Sequence, residues 1–178
     1  MLLNALKSSL LVVDVQEKLF DKIEDNFLIS KSIINSIKVF SLLKLPIIYS
    51  EQYPKGLGLT IKSILNEIEN SSSLKKIEKT TFSCFPGHEN FFKTKEVVIV
   101  GIESHICVLQ TAFDLKLAGH DVFIIDEAVG SRHHRDKVMA LERARENNIA
   151  ILNFEMFVFE LLKDSKHKHF KEISTLIK

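Results

Sequence analysis

The sequence predicts a three-layer α/β/α fold, an open and mainly parallel sheet of six strands with helices on both faces. Two observations predict it. Short β-branched apolar runs alternate with segments of helical periodicity, and the strongest of these runs are apolar at almost every position. Such strands are covered on both faces, as in doubly wound parallel sheets. Without an internal repeat or long linker, residues 1–178 are expected to form one domain.

The elements alternate regularly along the chain. Strands are predicted at 9–14, 47–50, 75–79, 96–101, 121–126 and 149–152. Helices are predicted at 27–43, 61–68, 106–117, 134–147, 155–163 and 165–177. Pro46 ends the first long helix, and Gly119 is placed to cap the helix at 106–117 in a left-handed conformation.

Composition excludes several classes of protein. The 24 basic residues nearly cancel the 23 acidic ones, and a net charge of +1 argues against a nucleic-acid or anionic-membrane partner. Two cysteines are too few for a disulfide framework and suit a reducing compartment. The apolar run Leu10 to Val13 is interrupted by Asp14 and is far too short to span a membrane, and the first nine residues lack signal-peptide features. We therefore expect a soluble, cytoplasmic protein without a nucleic-acid or membrane partner.

Motifs for common cofactors are missing from the sequence. It contains neither G-x-G-x-x-G after the first strand nor G-x-x-x-x-G-K-[ST], which argues against dinucleotide and P-loop sites. The serine elbow G-x-S-x-G is also missing. His133 and His134 are adjacent and lack a third ligand, so they favour a solvated pair over a zinc site. We expect no cofactor.

Three polar groups are predicted at the carboxyl ends of strands, where parallel sheets bind their ligands. Asp14 ends the first strand, Lys79 ends the third, and Cys107 follows the fourth. Taken singly, Asp14 could cap a turn, Lys79 could lie on the surface and Cys107 could be a core residue. Together they supply an acid, a base and a thiol at one sheet edge, which favours catalysis.

The expected chemistry centres on Cys107. Its predicted place at a helix start, with Lys79 nearby, would hold its pKa below that of a free cysteine, while Asp14 would oppose this. Backbone N–H groups at such a helix start can also form an oxyanion hole. Cys84 has neither helper in view, so a packing role is expected for it.

The segments around these three residues resemble the isochorismatase-like cysteine hydrolases, a superfamily that includes nicotinamidases and N-carbamoylsarcosine amidases. The matching segments are Leu10-Leu-Val-Val-Asp-Val-Gln16, Glu78-Lys-Thr-Thr-Phe-Ser83 and Val100-Gly-Ile-Glu-Ser-His-Ile-Cys-Val-Leu-Gln-Thr-Ala112. Further similarity, including Ser50 to Gly58 and Asp126 to Arg132, points to the eukaryotic isochorismatase-domain-containing proteins. The resemblance extends over nearly the whole chain.

The resemblance implies a role for each matched residue. Cys107 would be the nucleophile, Asp14 the proton carrier and Lys79 the cation that holds both in their charged forms. The backbone N–H groups of Glu103 and Cys107 would form the oxyanion hole, next to a cis peptide bond between Ile102 and Glu103. The substrate pocket would be lined by Gln16, Phe20, Gln52, Tyr53 and Phe82.

The sequence departs from nicotinamidases after the second strand. Their metal-binding Asp-x-His is replaced here by Ser50-Glu51-Gln52, so neither a metal site nor nicotinamidase activity is expected. The prediction is a metal-independent cysteine hydrolase that cleaves a small amide or related carbonyl compound through a thioester. A binding or scaffold protein and a redox-active thiol protein on the same fold remain alternatives.

A homo-oligomer is also expected. Proteins of this family are often oligomeric, and residues 154–159 carry three phenylalanines and a methionine, enough apolar surface for a partner subunit to cover part of it.

Overall fold

The sheet is built from strands whose carboxyl ends all lie at one edge. The computed structural model describes residues 1–69, 71 and 73–177. Within them, six strands pair in parallel in the order β3-β2-β1-β4-β5-β6. The strands are β1 (Ser8–Val13), β2 (Ile47–Gln52), β3 (Leu74–Lys79), β4 (Glu96–Ile102), β5 (Asp121–Gly130) and β6 (Ala150–Leu152). The predicted fold class is confirmed.

Helices connect these strands and cover the sheet on both faces. The helices are α1 (Glu17–Phe20), α2 (Asn26–Leu42), α3 (Pro54–Leu57), α4 (Lys62–Ile68), α5 (Leu109–Leu117), α6 (His134–Glu146), α7 (Phe154–Leu162) and α8 (Phe170–Ser174). Short 3₁₀ segments occur at Ala5–Lys7, Glu89–Phe91 and Thr175–Ile177. A π-helical turn at Ser104–Val108 leads into α5.

The central strand β1 divides the core into two layers. Its side chains alternate between the faces, as they must in a strand. Leu10 and Val12 pack with the buried side chains of α2, α4, α7 and α8. Leu11 and Val13 pack on the opposite face with those of α5 and α6. Because β1 is buried on both faces, the residue that follows it is carried into the interior.

Three elements have boundaries that differ from the prediction by more than two residues. Strand β5 runs to Gly130, because Val129 and Gly130 pair with β4 after a register shift, and the polar residues in between concealed this from the sequence. The predicted helix at 165–177 is reduced to α8, since the mixed-charge residues before it are mostly exposed and have no face to bury. The predicted helix at 106–117 begins with the π turn.

The apolar segment at 154–159 is largely explained by the chain's own core. Phe154, Phe157 and Val158 are buried there, and only Met156 and Phe159 are well exposed among its large apolar side chains. The homo-oligomer expected from this segment stays a prediction. In the described part of the chain, no helix combines the length and apolar character needed to cross a membrane.

Strands β1 and β4 approach closely beside the end of β1. Gly101 pairs with Val13 and has a φ of +119°. A Cβ atom at Gly101 would collide with the backbone of Val13, and its carbonyl oxygen lies closest. Glycine is therefore required at this point for both its conformation and its small size.

We predict that Gly101→Ala lowers the free energy of unfolding by about 3 kcal/mol or more, because it adds backbone strain to overpacking. Gly119→Ala is the matched control. Gly119 also has a positive φ, but a Cβ there meets nothing within 4 Å, so its cost should be about 1 kcal/mol. Urea denaturation of both variants measures this. Equal costs would show that the close approach of the two strands is unimportant.

Candidate active site

The site begins where β1 ends. Asp14 follows this strand directly and is fully buried, with a φ of +48° that aspartate tolerates better than most residues. Its backbone N–H donates to the carbonyl oxygen of Ser50 on β2, at 3.2 Å. The turn thus places a carboxylate in the interior, where it needs partners.

Lys79 is the principal partner of Asp14. It is the last residue of β3, and its side chain is only 1% exposed. Its Nζ atom lies 2.6 Å from Asp14 Oδ2, and it also donates to Gln52 Oε1, Phe82 O and Thr81 O at 2.7, 3.0 and 3.2 Å. Three N–H groups thus face four oxygens, so the ammonium is fully engaged within the protein.

The second oxygen of Asp14 has a different partner. The Ser50 hydroxyl donates to Asp14 Oδ1 at 2.7 Å. The Cys84 thiol in turn donates to Ser50 Oγ at 3.2 Å, and all three groups are buried. The two carboxylate oxygens are therefore held by Lys79 from one side and by Ser50 from another.

Cys107 lies beside Asp14 in the π turn between β4 and α5, and it is 7% exposed. Burial raises the pKa of the Cys107 thiol, as do the charge of Asp14 and a hydrogen bond with it, and Lys79 opposes them only in part. The predicted depression of the Cys107 pKa is therefore wrong for the resting site. The sequence pointed to the helical turn and the lysine, but not to the degree of burial.

The pKa values of Lys79 and Cys84 are also set by burial and by the charges of their neighbours. Burial lowers the pKa of Lys79, but the negative charges that Cys84, Asp14 and Cys107 carry at the high pH where Lys79 titrates outweigh burial and leave the pKa raised. Burial and the charge of Asp14 raise the pKa of Cys84 to about 11. Both thiols are consequently protonated at neutral pH, and Asp14 is a base within hydrogen-bonding reach of the Cys107 proton.

The turn before Cys107 is anchored through Glu103. The peptide bond between Ile102 and Glu103 is cis, as the resemblance implied. The Glu103 carboxylate accepts bonds from the backbone N–H and the Nε of Arg132, at 3.0 and 3.1 Å. The Glu103 side chain is thereby tied to the end of β5. An oxyanion hole formed by the backbone N–H groups of Glu103 and Cys107 stays a prediction.

The residues predicted to line the pocket take two different positions. Gln16 is buried, and its amide bonds the backbone of Gln52 and Gly58 at 2.6 to 3.0 Å. Phe20 packs in the core, so both residues support the loops and offer little surface to a substrate. Tyr53 and Phe82 are each 54% exposed.

Both exposed aromatic residues flank Lys79. The Tyr53 N–H donates to the Lys79 carbonyl at 2.8 Å, and the Phe82 carbonyl accepts from the Lys79 ammonium. Their backbones are thus fixed to the same residue that holds Asp14. They are placed to form the rim of a site whose reacting groups lie deeper.

Two residues in contact with Asp14 or Lys79 occupy the positions of the missing metal ligands. Ser50 bonds Asp14, and Gln52 bonds Lys79. Ser50 was not predicted as a site residue. Its place near the end of β2, the strand next to β1, is the signal that could have identified it as a neighbour of Asp14. The described residues contain no group of three His, Cys, Asp or Glu side chains that could hold a metal ion.

We predict that Cys107 reacts slowly with iodoacetamide at neutral pH and faster as the pH rises. Asp14→Asn should move this profile to lower pH, because the charge and hydrogen bond that raise the Cys107 pKa are weakened. Alkylation rates against pH, with the modified site read by mass spectrometry, provide the test, and Asp126→Asn on the surface of β5 is the control. An unmoved profile in Asp14→Asn would contradict the electrostatic description.

Comparison with known proteins places this arrangement in a family. Residues 8–155 match the model of the isochorismatase domain. The chain is 39% identical to isochorismatase family protein 1A of Dictyostelium discoideum over 176 residues, which cover 95% of this chain and 85% of the relative. It is 33% identical to isochorismatase domain-containing protein 2A of Mus musculus over 175 residues, covering 96% and 82% of the two chains.

A solved structure agrees with these relatives. The MAR1 ribonuclease from Caenorhabditis elegans superposes with a TM-score of 0.94 at 35% identity, covering 99% of this chain and 92% of that one. Three observations indicate the same family: the fold, these relatives, and the sequence segments around Asp14, Lys79 and Cys107. The chain belongs to the isochorismatase family, in its group of eukaryotic isochorismatase domain-containing proteins.

Proposed function

We propose that this protein is a metal-independent cysteine hydrolase that cleaves a small amide or a related carbonyl compound through a thioester on Cys107. The observation that carries the proposal is the buried Asp14 carboxylate, held by Lys79 at 2.6 Å and within hydrogen-bonding reach of the Cys107 thiol. A nucleophile beside a base that is oriented by a third group is the arrangement that covalent catalysis requires.

The reaction begins with transfer of the Cys107 proton to Asp14. The sulfur attacks the substrate carbonyl and forms a C–S bond, and the carbonyl oxygen takes up negative charge. Collapse of this intermediate breaks the C–N bond, while Asp14 returns the proton to the departing amine. Asp14 then removes a proton from water, whose oxygen attacks the thioester. Collapse of the second intermediate breaks the C–S bond and releases the carboxylic acid, and Asp14 returns the proton to the sulfur to restore the Cys107 thiol.

Charge stabilisation in this reaction is divided between two sets of groups. The N–H groups of Lys79 donate to Asp14, Gln52 and two carbonyl oxygens. Lys79 therefore stabilises the Asp14 carboxylate and does not bind the substrate. The oxyanion is assigned to the backbone N–H groups of Glu103 and Cys107. Such donors contribute a factor of about 10² to 10³ to the rate.

The surroundings favour a small substrate. Cys107 is nearly buried, and the two exposed aromatic residues Tyr53 and Phe82 stand beside Lys79. They offer ring faces and apolar edges to a compact or planar group. Ser50 and Gln52 are already bonded to Asp14 and Lys79, so the mechanism assigns no metal to the second strand.

RNA is the competing substrate, because the Caenorhabditis elegans relative is a ribonuclease by name. Cleavage of a phosphodiester calls for cations that can reach a phosphate in the transition state. The Lys79 ammonium is committed within the protein, and the chain carries a net charge of only +1. These features favour an uncharged carbonyl substrate.

The test is a panel of small amides, carbamoyl compounds and esters, with a single-stranded RNA included. We predict turnover of at least one carbonyl compound, and a loss of about 10³-fold or more in Cys107→Ala and Asp14→Asn. Cys84→Ser is the matched thiol control and should retain most of the activity. Mass spectrometry after rapid quenching should detect an acyl group on Cys107.

The same panel separates the alternatives. A binding or scaffold protein would bind compounds without turning them over, and the wild-type rates would equal those of Cys107→Ala. A redox-active thiol protein would form a disulfide or sulfenic acid under peroxide and show no acyl adduct. RNA cleavage that survives in Cys107→Ala would contradict the thioester mechanism.

A further inference from the structure

A buried chain of hydrogen bonds leads to Asp14 from the side opposite Lys79. Cys84 Sγ lies 3.2 Å from Ser50 Oγ, and Ser50 Oγ lies 2.7 Å from Asp14 Oδ1. We propose that Ser50 and Cys84 are positioning residues for catalysis, which act by fixing the Asp14 carboxylate toward Cys107 and stabilising its ionised form. This inference rests on the proposed function, since it deepens the role given to Asp14.

The hydrogen bonds from Cys84 through Ser50 to Asp14 can donate in one direction only. A carboxylate only accepts hydrogen bonds, so the Ser50 hydroxyl must donate to Asp14. A hydroxyl has a single hydrogen, so Ser50 can then only accept from the Cys84 thiol. Cys84 can donate because burial keeps it protonated, with a pKa of about 11. The thiol thus locks the hydroxyl rotor on Asp14, which gives Cys84 a function beyond packing.

Cys84 is itself held in place. Its backbone N–H donates to Thr111 Oγ1 on α5 at 2.9 Å, and its side chain is fully buried. Ser50 is fixed on β2 between β1 and β3. These hydrogen bonds therefore connect three elements around Asp14: strand β2, the loop after β3 and helix α5.

The Asp14 carboxylate is oriented because each of its two oxygens accepts a hydrogen bond from a different residue. Lys79 holds Oδ2 and Ser50 holds Oδ1, so the plane of the carboxylate is set by two partners on different strands. Rotation about the side-chain bond would break both bonds. The remaining acceptor capacity of Asp14 is thus directed consistently toward the Cys107 proton, as proton transfer requires.

Among the described residues, three titratable groups interact with Asp14. They are Lys79 from β3, Cys84 from the loop after β3 and Cys107 from the turn after β4. The neighbouring carboxylate on β2, Glu51, is bonded to Thr60 and Lys76 and does not enter this network. A change in pH dependence on altering Ser50 or Cys84 can therefore be attributed to Asp14 and Cys107.

The experiment measures how two rates, turnover and alkylation of Cys107, depend on pH, with attention to the acidic limb of turnover. The variants are Ser50→Ala, Cys84→Ala, Cys84→Ser and the double variant that combines Ser50→Ala with Cys84→Ala. The rate of turnover is measured with the best amide of the panel. The alkylation rate of Cys107 by iodoacetamide is measured in parallel, because it needs no substrate. Failure of the proposed function would abolish the first readout only, whereas failure of this inference would appear in both.

We expect Ser50→Ala to move the acidic limb of turnover upward by about one pH unit, the effect of losing a hydrogen bond to a charged group. The alkylation profile of Cys107 should move to lower pH, as in Asp14→Asn, because a less firmly oriented Asp14 makes a weaker hydrogen bond with the Cys107 thiol. Cys84→Ala should give smaller shifts in the same directions, and Cys84→Ser, which retains a donor, should restore the wild-type limb. The double variant should match Ser50→Ala alone, because Cys84 acts only through Ser50. A purely structural role would not produce this pattern.

Two results would overturn the proposal. One is an acidic limb in Ser50→Ala that coincides with that of the wild type. The other is a further shift on adding Cys84→Ala to Ser50→Ala. If Ser50→Ala does not fold, the cysteine variants decide: a shift in Cys84→Ala that is missing in Cys84→Ser supports the proposal, and identical limbs refute it.

Discussion

A buried ion pair between Lys79 and Asp14 is the constraint on which the site depends. Its two side chains are almost completely removed from water, and removing charge from water costs several kcal/mol for each ion. Such a pair persists only if its remaining hydrogen-bonding capacity is satisfied. The structure meets this requirement with Gln52 and two backbone carbonyls for the lysine, and with Ser50 for the aspartate.

The ion pair also explains why a neutral thiol is found beside a base. Asp14 raises the pKa of Cys107 in the resting site, which at first sight opposes nucleophilic catalysis. A protonated thiol next to an oriented carboxylate is nevertheless suited to a step in which the proton moves as the C–S bond forms. Under the proposed mechanism, the same arrangement would slow alkylation and oxidation of Cys107 between turnovers.

Much of this could be predicted from the sequence, because strand ends in a parallel sheet converge. Apolar runs located β1 and β4, and a weaker strand pattern at 75–79 located β3. These strands gave the positions of Asp14, Lys79 and Cys107 to within a residue or two. Burial could not be predicted, and it reversed the direction of the Cys107 pKa. Ser50 and Cys84 were missed as partners of Asp14, since a serine near a strand end and a cysteine in a loop have no pattern of their own. The tertiary structure alone shows that one hydroxyl links them.

The most direct test of this account is a double-mutant cycle on stability, with Asp14→Asn, Lys79→Met and both together. Each single change leaves a buried group without its partner and should lower the free energy of unfolding by about 3 to 5 kcal/mol. The double variant should cost much less than the sum, with a coupling of about 2 kcal/mol or more. Additive costs would show that the two charges do not depend on each other, and would contradict the central role given to the Lys79–Asp14 pair.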